Sequence, residues 1–449
     1  MAISASLKSL LRGCQLDEFV KAVRDPEFRD RSLADIAREA AHQFAPVLYQ
    51  EQYVAYVPHS LMTLAAALQA ANFLPEPEKK LPLIQALWLA GSEEKIAAPL
   101  VSADAGGSGK GTVQDLSVAL TENDFKKAQA LAGCLLADPS TFASCRDLLV
   151  LTALRDIANM GHKFLYVAKT LELLETLPGA DTASLIFPAL HHLAVGASDT
   201  GYFSLLQTRF KDLEPEAAQF MKNEIPITED EAKRLEHVLV YQYPGLIIEN
   251  LAYELQQGVS ADELFQVVLS AASQALTGAF KENWLYPVHG YNFAHEGWEY
   301  FRKVPDPLQK MNFLFMSALF VNKMAVKSMD PHKTVKFEEV DLAGQEESLA
   351  GLAKAVEESR PEIAGALAVK LLDKADFQEL ARILVRAASK NDSGVCAGHD
   401  LKLAVHALLD YPRMRAGLRA KLIPALAYFL AQVEKDYDLF NALTEKTAT

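Results

Sequence analysis

The sequence predicts an all-α protein, and three observations lead to this expectation. Over most of the chain, apolar residues recur at the spacing of one helix face, as at Leu61, Leu64 and Leu68. Residues that lose little conformational freedom in a helix, such as alanine, leucine and glutamate, dominate the composition, and alternating β-type runs are nearly absent. Helix starts carry capping residues, as at Ser260 and in the capping box that begins at Thr228.

A pattern that occurs four times predicts how these helices are organised. In each copy a histidine opens a helix, a proline-containing turn follows, and a second apolar helix returns. The histidine and the proline are 16 residues apart in the first three copies and 13 apart in the fourth. The pairs are His59 with Pro75, His162 with Pro178, His289 with Pro305, and His399 with Pro412. We therefore expect a helical-repeat array of about four pseudo-equivalent helical modules.

The length of the chain and the position of these copies predict two halves. The 449 residues exceed what one ordinary compact domain holds. A polar connector near residue 226 would separate an N-terminal helical half, residues 1–226, from a C-terminal helical half, residues 227–449. Each half would contain two repeats, and we expect the halves to pack together.

Composition and charge exclude several classes of protein. The formal net charge is −14 and no run of five basic residues occurs, which argues against a nucleic-acid partner and an anionic membrane surface. No apolar stretch approaches the length of a transmembrane helix, and the N-terminus lacks the pattern of a secretory signal. The four cysteines form no CxxC pair and are typical of small buried side chains in a reducing compartment. We expect a cytoplasmic protein.

The four repeated histidines are the strongest candidates for a functional site. Equivalent positions in a pseudo-symmetric array face one side or a shared axis, so four imidazoles would converge and suit a transition metal such as iron, zinc or manganese. Glu249, Glu254 and Glu296 lie in helical contexts that would let a carboxylate complete the shell. The alternative is that each histidine caps its helix and hydrogen-bonds to the preceding turn. The candidate metal ligands are His59, His162, His289 and His399.

A dense polar and aromatic segment surrounds the third repeated histidine. Residues 289–296 contain two histidines and a glutamate between aromatic neighbours that would line a pocket for a planar apolar substrate. These neighbours are Trp284, Tyr286, Tyr291, Phe293 and Trp298. Because neutral imidazole is a general base near neutral pH, the repeated histidines are candidate bases as well as candidate ligands. An aromatic core with satisfied histidines is the alternative.

Two further features are weaker candidates. His399 and His406 are seven residues apart and share one helix face, but they need another element to chelate one ion. The glycine-rich segment from Asp104 to Thr112 looks like a phosphate-binding loop. Since Asp104 would repel phosphate and no parallel βαβ sheet is predicted, this segment is expected to be a flexible linker.

The segments around the first three repeated histidines resemble a known family. Pro58-His59-Ser-Leu-Met-Thr-Leu, Gly161-His162-Lys-Phe-Leu-Tyr and Val288-His289-Gly-Tyr-Asn-Phe-Ala-His295 are similar to a helical domain often found behind bacterial Rieske modules. More remotely, the chain resembles the questin-oxidase-like family, helical proteins linked to the oxidation of aromatic polyketides. The resemblance covers most of residues 50–330. It implies an oxidoreductase, such as an oxygenase, with His59, His162, His289 and His295 at the functional centre.

The resemblance and the histidines together predict a metal-dependent oxidoreductase or monooxygenase acting on an apolar or aromatic small molecule. Iron or another transition metal would be the cofactor. The chain has no Rieske ligand pattern, so electrons would come from an external donor, either a separate protein or a reduced nicotinamide. Two alternatives stay open: a non-catalytic helical scaffold that binds a partner protein, and a small-molecule-binding protein whose histidines are too scattered to share an ion.

Overall fold

The structure is a computed structural model that describes residues 15–45, 59–92, 111–195, 197–330, 332–333 and 335–445. Within these ranges the chain is helical and contains no β-strand, only the isolated bridges Ile225–Val259 and Ala279–Met329. The predicted all-α class is confirmed.

We number the α-helices in chain order. Their bounds are α1 Leu16–Arg24, α2 Pro26–Arg29, α3 Leu33–Phe44, α4 Ser60–Ala70, α5 Leu81–Ser92, α6 Val113–Thr121, α7 Phe125–Ala137, α8 Pro139–Leu154, α9 Ala158–Thr176, α10 Thr182–Val195, α11 Gly201–Phe210, α12 Ala217–Phe220, α13 Glu229–Tyr241, α14 Pro244–Gln256, α15 Ala261–Gly278, α16 Leu285–Lys303, α17 Pro307–Ser328, α18 Leu349–Glu357, α19 Pro361–Leu372, α20 Phe377–Lys390, α21 His399–Asp410, α22 Ala416–Arg419, α23 Leu422–Gln432 and α24 Asp438–Thr444.

Four of these helices form a closed ring. Helix α4 contacts α9, α9 contacts α16, α16 contacts α21, and α21 contacts α4, so the order around the ring is the order along the chain. One repeated histidine lies at or near the start of each ring helix. The ring therefore takes two helices from each half of the chain. The repeat itself and the division near residue 226 stay predictions.

Each ring helix is followed by an apolar helix that packs against it. The pairs are α4 with α5, α9 with α10, α16 with α17, and α21 with α23. The prolines of the fourfold pattern lie in the turns between the two helices of each pair. Burial of these apolar faces extends one connected core from Phe19 to Leu439, and this core fixes which face of each ring helix points inward.

The predicted helix-capping residues agree with the structure only in part. Thr228 and Glu231 form the expected capping box in front of α13, with both reciprocal hydrogen bonds present. Ser260 precedes α15, but its side chain makes no capping hydrogen bond, so that part of the prediction was wrong. The segment from Asp104 to Thr112 lies outside the described residues except for Gly111 and Thr112, and Thr112 caps α6.

Among the described residues, no helix has both the length and the apolar character that crossing a bilayer requires.

Candidate metal centre

The four repeated histidines meet inside the helix ring. The Nε2 atom of His162 lies 3.1 Å from that of His59 and 3.0 Å from that of His289. The Nε2 atoms of His289 and His399 are 3.3 Å apart, and the imidazole centroids of His399 and His59, 4.6 Å apart, close the circle. All four side chains are buried. We call His59, His162, His289 and His399 the histidine tetrad.

Left-handed backbone precedes two members of the tetrad. His162 follows three consecutive left-handed residues, 159–161, and His399 follows left-handed Gly398. At Gly161 and Gly398 an added Cβ atom would lie 2.7 Å or less from a neighbouring side chain, so only glycine fits either position. Left-handed non-glycine residues cost roughly 1–2 kcal/mol each. Such strain persists where surrounding structure enforces it, typically at functional sites.

Backbone carbonyls fix the ring orientation of three tetrad members. Because a carbonyl oxygen only accepts, each Nδ1 carries the proton and each Nε2 carries the lone pair. The donated bonds are His162 Nδ1 to the Asn159 oxygen (2.5 Å), His289 Nδ1 to the Leu285 oxygen (2.8 Å) and His399 Nδ1 to the Cys396 oxygen (2.6 Å). The alternative of histidines bonded to the preceding turn is therefore observed, and it coexists with convergence of the Nε2 atoms.

The converging lone pairs require a positive charge between them. A bridging imidazolium proton is disfavoured, because burial and then the ammonium of Lys402 lower the pKa of His59 and His399 well below the ordinary value. Burial, with Lys402 adding to it, lowers the pKa of His289 to about 4 although the Leu285 carbonyl opposes this. A metal ion at about 2.0–2.1 Å from each nitrogen would place neighbouring nitrogens ~2.9–3.4 Å apart, which matches the distances observed.

The tetrad could therefore bind a metal ion, and its donor atoms do not by themselves identify that ion. The cavity beside it measures about 10 Å³, room for about one water or ion. Its remaining lining comes from positions three or seven residues after a tetrad histidine: Met62, Leu165, Asn292, Lys402, Lys169 and His406. This volume is too small for a larger molecule to reach the tetrad.

A second polar layer lies two helical turns further along the axes of the ring helices. The residues seven positions after His162, His289 and His399 are Lys169, Glu296 and His406. Lys169 Nζ is 2.7 Å from Glu296 Oε1, and His406 Nε2 is 3.5 Å from the same oxygen. Seven residues of α-helix rise by about 10 Å. His399 and His406 are therefore too far apart to bind one ion by themselves, as expected from the sequence.

His295, a predicted catalytic residue, belongs to this second layer and not to the tetrad. Its ring stacks on that of His406 with centroids 3.9 Å apart, and its Nδ1 lies 2.9 Å from Asp410 Oδ1. Burial lowers the pKa of His295, but the carboxylates of Asp410, Glu296 and Glu299 outweigh it and raise the pKa above its ordinary value. His295 therefore lies in the layer adjacent to the tetrad, and its catalytic role stays a prediction.

A larger pocket adjoins the second layer. It has a volume of about 340 Å³ and a mixed lining of charged, polar and apolar side chains. The lining residues are Gln69, Asn72, Phe73, Ala168, Glu172, His295, Glu296, Glu299, Tyr300, Lys303, Leu409 and Arg413. His295 and Glu296 are thus reachable by a small molecule that could not enter the tetrad cavity.

The aromatic residues expected to line a substrate pocket pack into the core instead. Tyr291, Phe293 and Trp298 are fully buried, and Trp284 and Tyr286 are half-buried against the same core. None of the five lines either of the cavities described beside the histidines. Tyr291, Phe293 and Trp298 thus match the aromatic-core alternative, and a pocket lined by Trp284 and Tyr286 stays a prediction.

Of the three carboxylates expected near the metal, only Glu296 approaches the histidines. Glu249 is exposed and lies 3.6 Å from Arg209, and Glu254 forms an ion pair with Arg234. Sequence reasoning also missed Lys169 and Lys402, although their spacing of seven and three residues from a tetrad histidine places them on the same helix face.

Comparisons with known proteins give no indication of function, so the functional argument rests on the site. No protein-family model, curated protein sequence or solved structure matches the chain. The similarity to the questin-oxidase-like family and to the domain behind Rieske modules therefore stays an expectation from three short segments.

Proposed function

We propose that this protein is a metal-dependent oxidoreductase whose ion is bound by the histidine tetrad. One observation carries the proposal: His162, His289 and His399 each donate Nδ1–H to a backbone carbonyl and aim an unprotonated Nε2 at one point. Metal-binding histidines are typically oriented in this way by a hydrogen bond from their second nitrogen. A scaffold protein has no need for such an arrangement.

The charges around the tetrad favour redox chemistry. All four donors are neutral imidazoles, a set that suits iron, copper, nickel and zinc. Of the two lysines that line the same cavity, Lys169 is paired with Glu172 and Glu296, so Lys402 supplies the positive charge beside the tetrad. A positive environment with neutral ligands stabilises the lower oxidation state of a redox metal and raises its reduction potential. The tetrad is therefore suited to accept an electron.

The sizes of the two cavities support a substrate site separate from the tetrad. The tetrad cavity has room for about one water, so an organic molecule would occupy the 340 Å³ pocket about two helical turns away. Phe73, Tyr300 and Leu409 supply apolar wall to this pocket. They support a small molecule with an apolar or aromatic part as the substrate, with electrons supplied by a separate donor.

The proposal is tested by the metal content of the purified full chain, grown with iron, copper, zinc and manganese. We expect close to one ion at the tetrad, lost in the His162→Ala/His289→Ala double variant while the helical circular-dichroism signal is kept. The matched control is His237→Ala/His332→Ala, which removes two exposed histidines and should retain the ion.

The redox part of the proposal has its own readout. Protein loaded with iron or copper should show a reversible reduction in electrochemical titration, and the double variant should not. Wild-type protein that folds without a tetrad ion, or binds zinc alone, would contradict the oxidoreductase and favour a scaffold or a metal-free pocket.

A further inference from the structure

We propose a second metal site, at which His295, Glu296 and His406 bind a divalent cation. His295 and Glu296 line the 340 Å³ pocket, and His406 approaches them from the side of the tetrad cavity. We call these three residues the lower triad. The site does not depend on whether the tetrad binds an ion, and it supplies what the tetrad lacks, which is contact with a space large enough for a substrate.

The donor atoms of the lower triad are already close together. One ring nitrogen of each histidine and one carboxylate oxygen of Glu296 all lie within 4.8 Å of one another. The three side chains are 2%, 4% and 1% exposed in sequence order, so water does not compete freely for them. Closing around an ion needs side-chain shifts of about 1–2 Å, since adjacent ligands of a six-coordinate ion lie roughly 3 Å apart. The stacked rings of His295 and His406 must also tilt toward each other, because a bound ion lies in the plane of each imidazole.

Outer hydrogen bonds orient both histidines as they orient metal ligands. His295 Nδ1 lies 2.9 Å from Asp410 Oδ1, and the other Asp410 oxygen accepts the hydroxyl of Tyr291 at 2.9 Å. His406 Nδ1 donates to Asn292 Oδ1 at 2.8 Å. A carboxylate or amide oxygen behind each imidazole fixes the tautomer and leaves Nε2 as the donor.

His406 provides an independent sign that a ligand belongs here. Its Nε2 is buried and makes no hydrogen bond to any described residue, although a buried imidazole nitrogen normally has a partner. This nitrogen lies 3.5 Å from Glu296 Oε1. With Nδ1 already bonded to Asn292, the free Nε2 lone pair is available to a cation.

The local charge also favours a cation. The carboxylates of Glu172, Glu296, Glu299 and Asp410 surround the lower triad. Lys169 pairs with both Glu172 and Glu296, and Arg413 pairs with Glu299. The carboxylates therefore outnumber these two fixed cations. Lys169 contacts Glu296 Oε1, the same oxygen that lies beside His406 Nε2, so a bound ion would displace the ammonium from Glu296 and leave Glu172 as its partner.

The lower triad has the coordination of a catalytic metal site, whereas the tetrad has that of a structural site with all its positions filled by protein ligands. Four protein ligands saturate an ion at the tetrad, whereas three leave open positions at the lower triad. Two histidines and one carboxylate with open positions are the ligand set of non-haem iron(II) oxygenases and of several zinc hydrolases. The open positions would face the pocket and take an oxygen donor of the bound molecule, such as a hydroxyl, carbonyl or carboxylate.

Metal stoichiometry of the full chain tests the site. Chelator-stripped protein is titrated with zinc, dialysed, and measured by mass spectrometry. We expect two ions per wild-type chain, one in Glu296→Gln, one in His162→Ala/His289→Ala, and none in the combined variant. Glu175→Gln is the matched control, because Glu175 pairs with Lys303 and Arg146 outside the lower triad, and it should retain both ions.

The outcomes for the two sites are distinguishable. A second ion that survives in both Glu296→Gln and His406→Ala would overturn the lower triad as its site. A wild-type chain with a single ion that only the tetrad variant loses would also overturn it, while supporting the tetrad. A single ion lost in Glu296→Gln and kept in the tetrad variant supports the lower triad and contradicts the proposed tetrad ion. Circular dichroism and thermal unfolding show that each variant is folded.

Discussion

The two polar layers of the helix ring are built from the same helices and differ in chemistry. The tetrad has four neutral donors in a cavity for about one water, and the cations Lys169 and Lys402 line that cavity. The lower triad, two turns away, mixes imidazole and carboxylate donors and borders a 340 Å³ pocket. Burial by itself keeps imidazoles neutral and ready to bind metal, whereas buried carboxylates need a cation as their partner.

The pKa values of the two histidines on α16 follow this difference, whereas burial lowers the pKa of His406 in the lower layer as it does in the tetrad. In the tetrad, burial lowers the pKa of every member. In the lower layer, burial acts on His295 too, but Asp410, Glu296 and Glu299 raise its pKa. Equally buried imidazoles on one helix, α16, thus differ in protonation because of what the neighbouring helices place beside them.

The sharpest test of the comparison removes one histidine from each layer of the same helix. His399→Ala should weaken zinc binding at the tetrad by more than the about 10–100-fold typical of losing an outer partner, and His406→Ala should do the same at the lower triad. Each substitution should leave the other layer nearly unchanged, as measured by competition with a chromophoric chelator. Equal effects on both layers would mean that they form a single site.

The Gly161→Ala substitution tests how much the tight packing before His162 contributes to stability. Gly161→Ala places a Cβ atom 2.7 Å from Phe293 at φ +74°, so strain of about 1–2 kcal/mol adds to overpacking of about 1–3 kcal/mol. We expect a loss of ~2–5 kcal/mol in the free energy of urea unfolding. Gly179→Ala is the control, because Gly179 has φ +79° but open space around it, and it should cost only the strain. Equal losses would refute the packing argument.

Acidification should destabilise the metal-free chain through the tetrad. The pKa of His289 is about 4 in the folded protein against an ordinary 6.5, so between these values the unfolded chain binds a proton that the folded chain does not. The free energy of unfolding therefore decreases as the pH is lowered through this window. His289 alone accounts for a loss of about 2 kcal/mol at about pH 5. The raised pKa of His295 acts in the opposite direction.

Urea titrations at about pH 7.5 and pH 5 measure this effect, and the other three tetrad members shift in the same direction as His289. The His162→Ala/His289→Ala variant should lose less stability on acidification than the wild type. The same pH dependence in both proteins would assign the effect to groups outside the tetrad.

The smallest expected effect concerns the hydrogen bond behind His406. Asn292→Ala removes the acceptor of its Nδ1 proton and should weaken metal binding at the lower triad about 10-fold. Asn292→Asp keeps an acceptor oxygen and should restore most of the affinity, whereas tetrad affinity should change little in Asn292→Ala. An unchanged lower-triad affinity in Asn292→Ala would show that packing alone orients His406.

Much of the fold was predictable because its signals are local. Apolar spacing gave the helices, and the histidine and proline pattern placed one histidine near the start of each ring helix. The same pattern predicted that His59, His162, His289 and His399 come together, and their Nε2 atoms do so. Tyr291, Phe293 and Trp298 pack into the core instead of the expected pocket, since aromatic residues near a polar segment fill a core as readily as they line a cavity.

The sequence by itself determined the helices, the matched positions of the tetrad histidines and the seven-residue spacing that carries Lys169, Glu296 and His406 on the same faces. Only the tertiary structure decided that these faces point inward, that the ring closes between α21 and α4, and that Asp410 stands behind His295. Spacing fixes which side chains share a helix face, because helix geometry is local. The direction of that face depends on burying the apolar faces of all the ring helices together, which no single segment encodes.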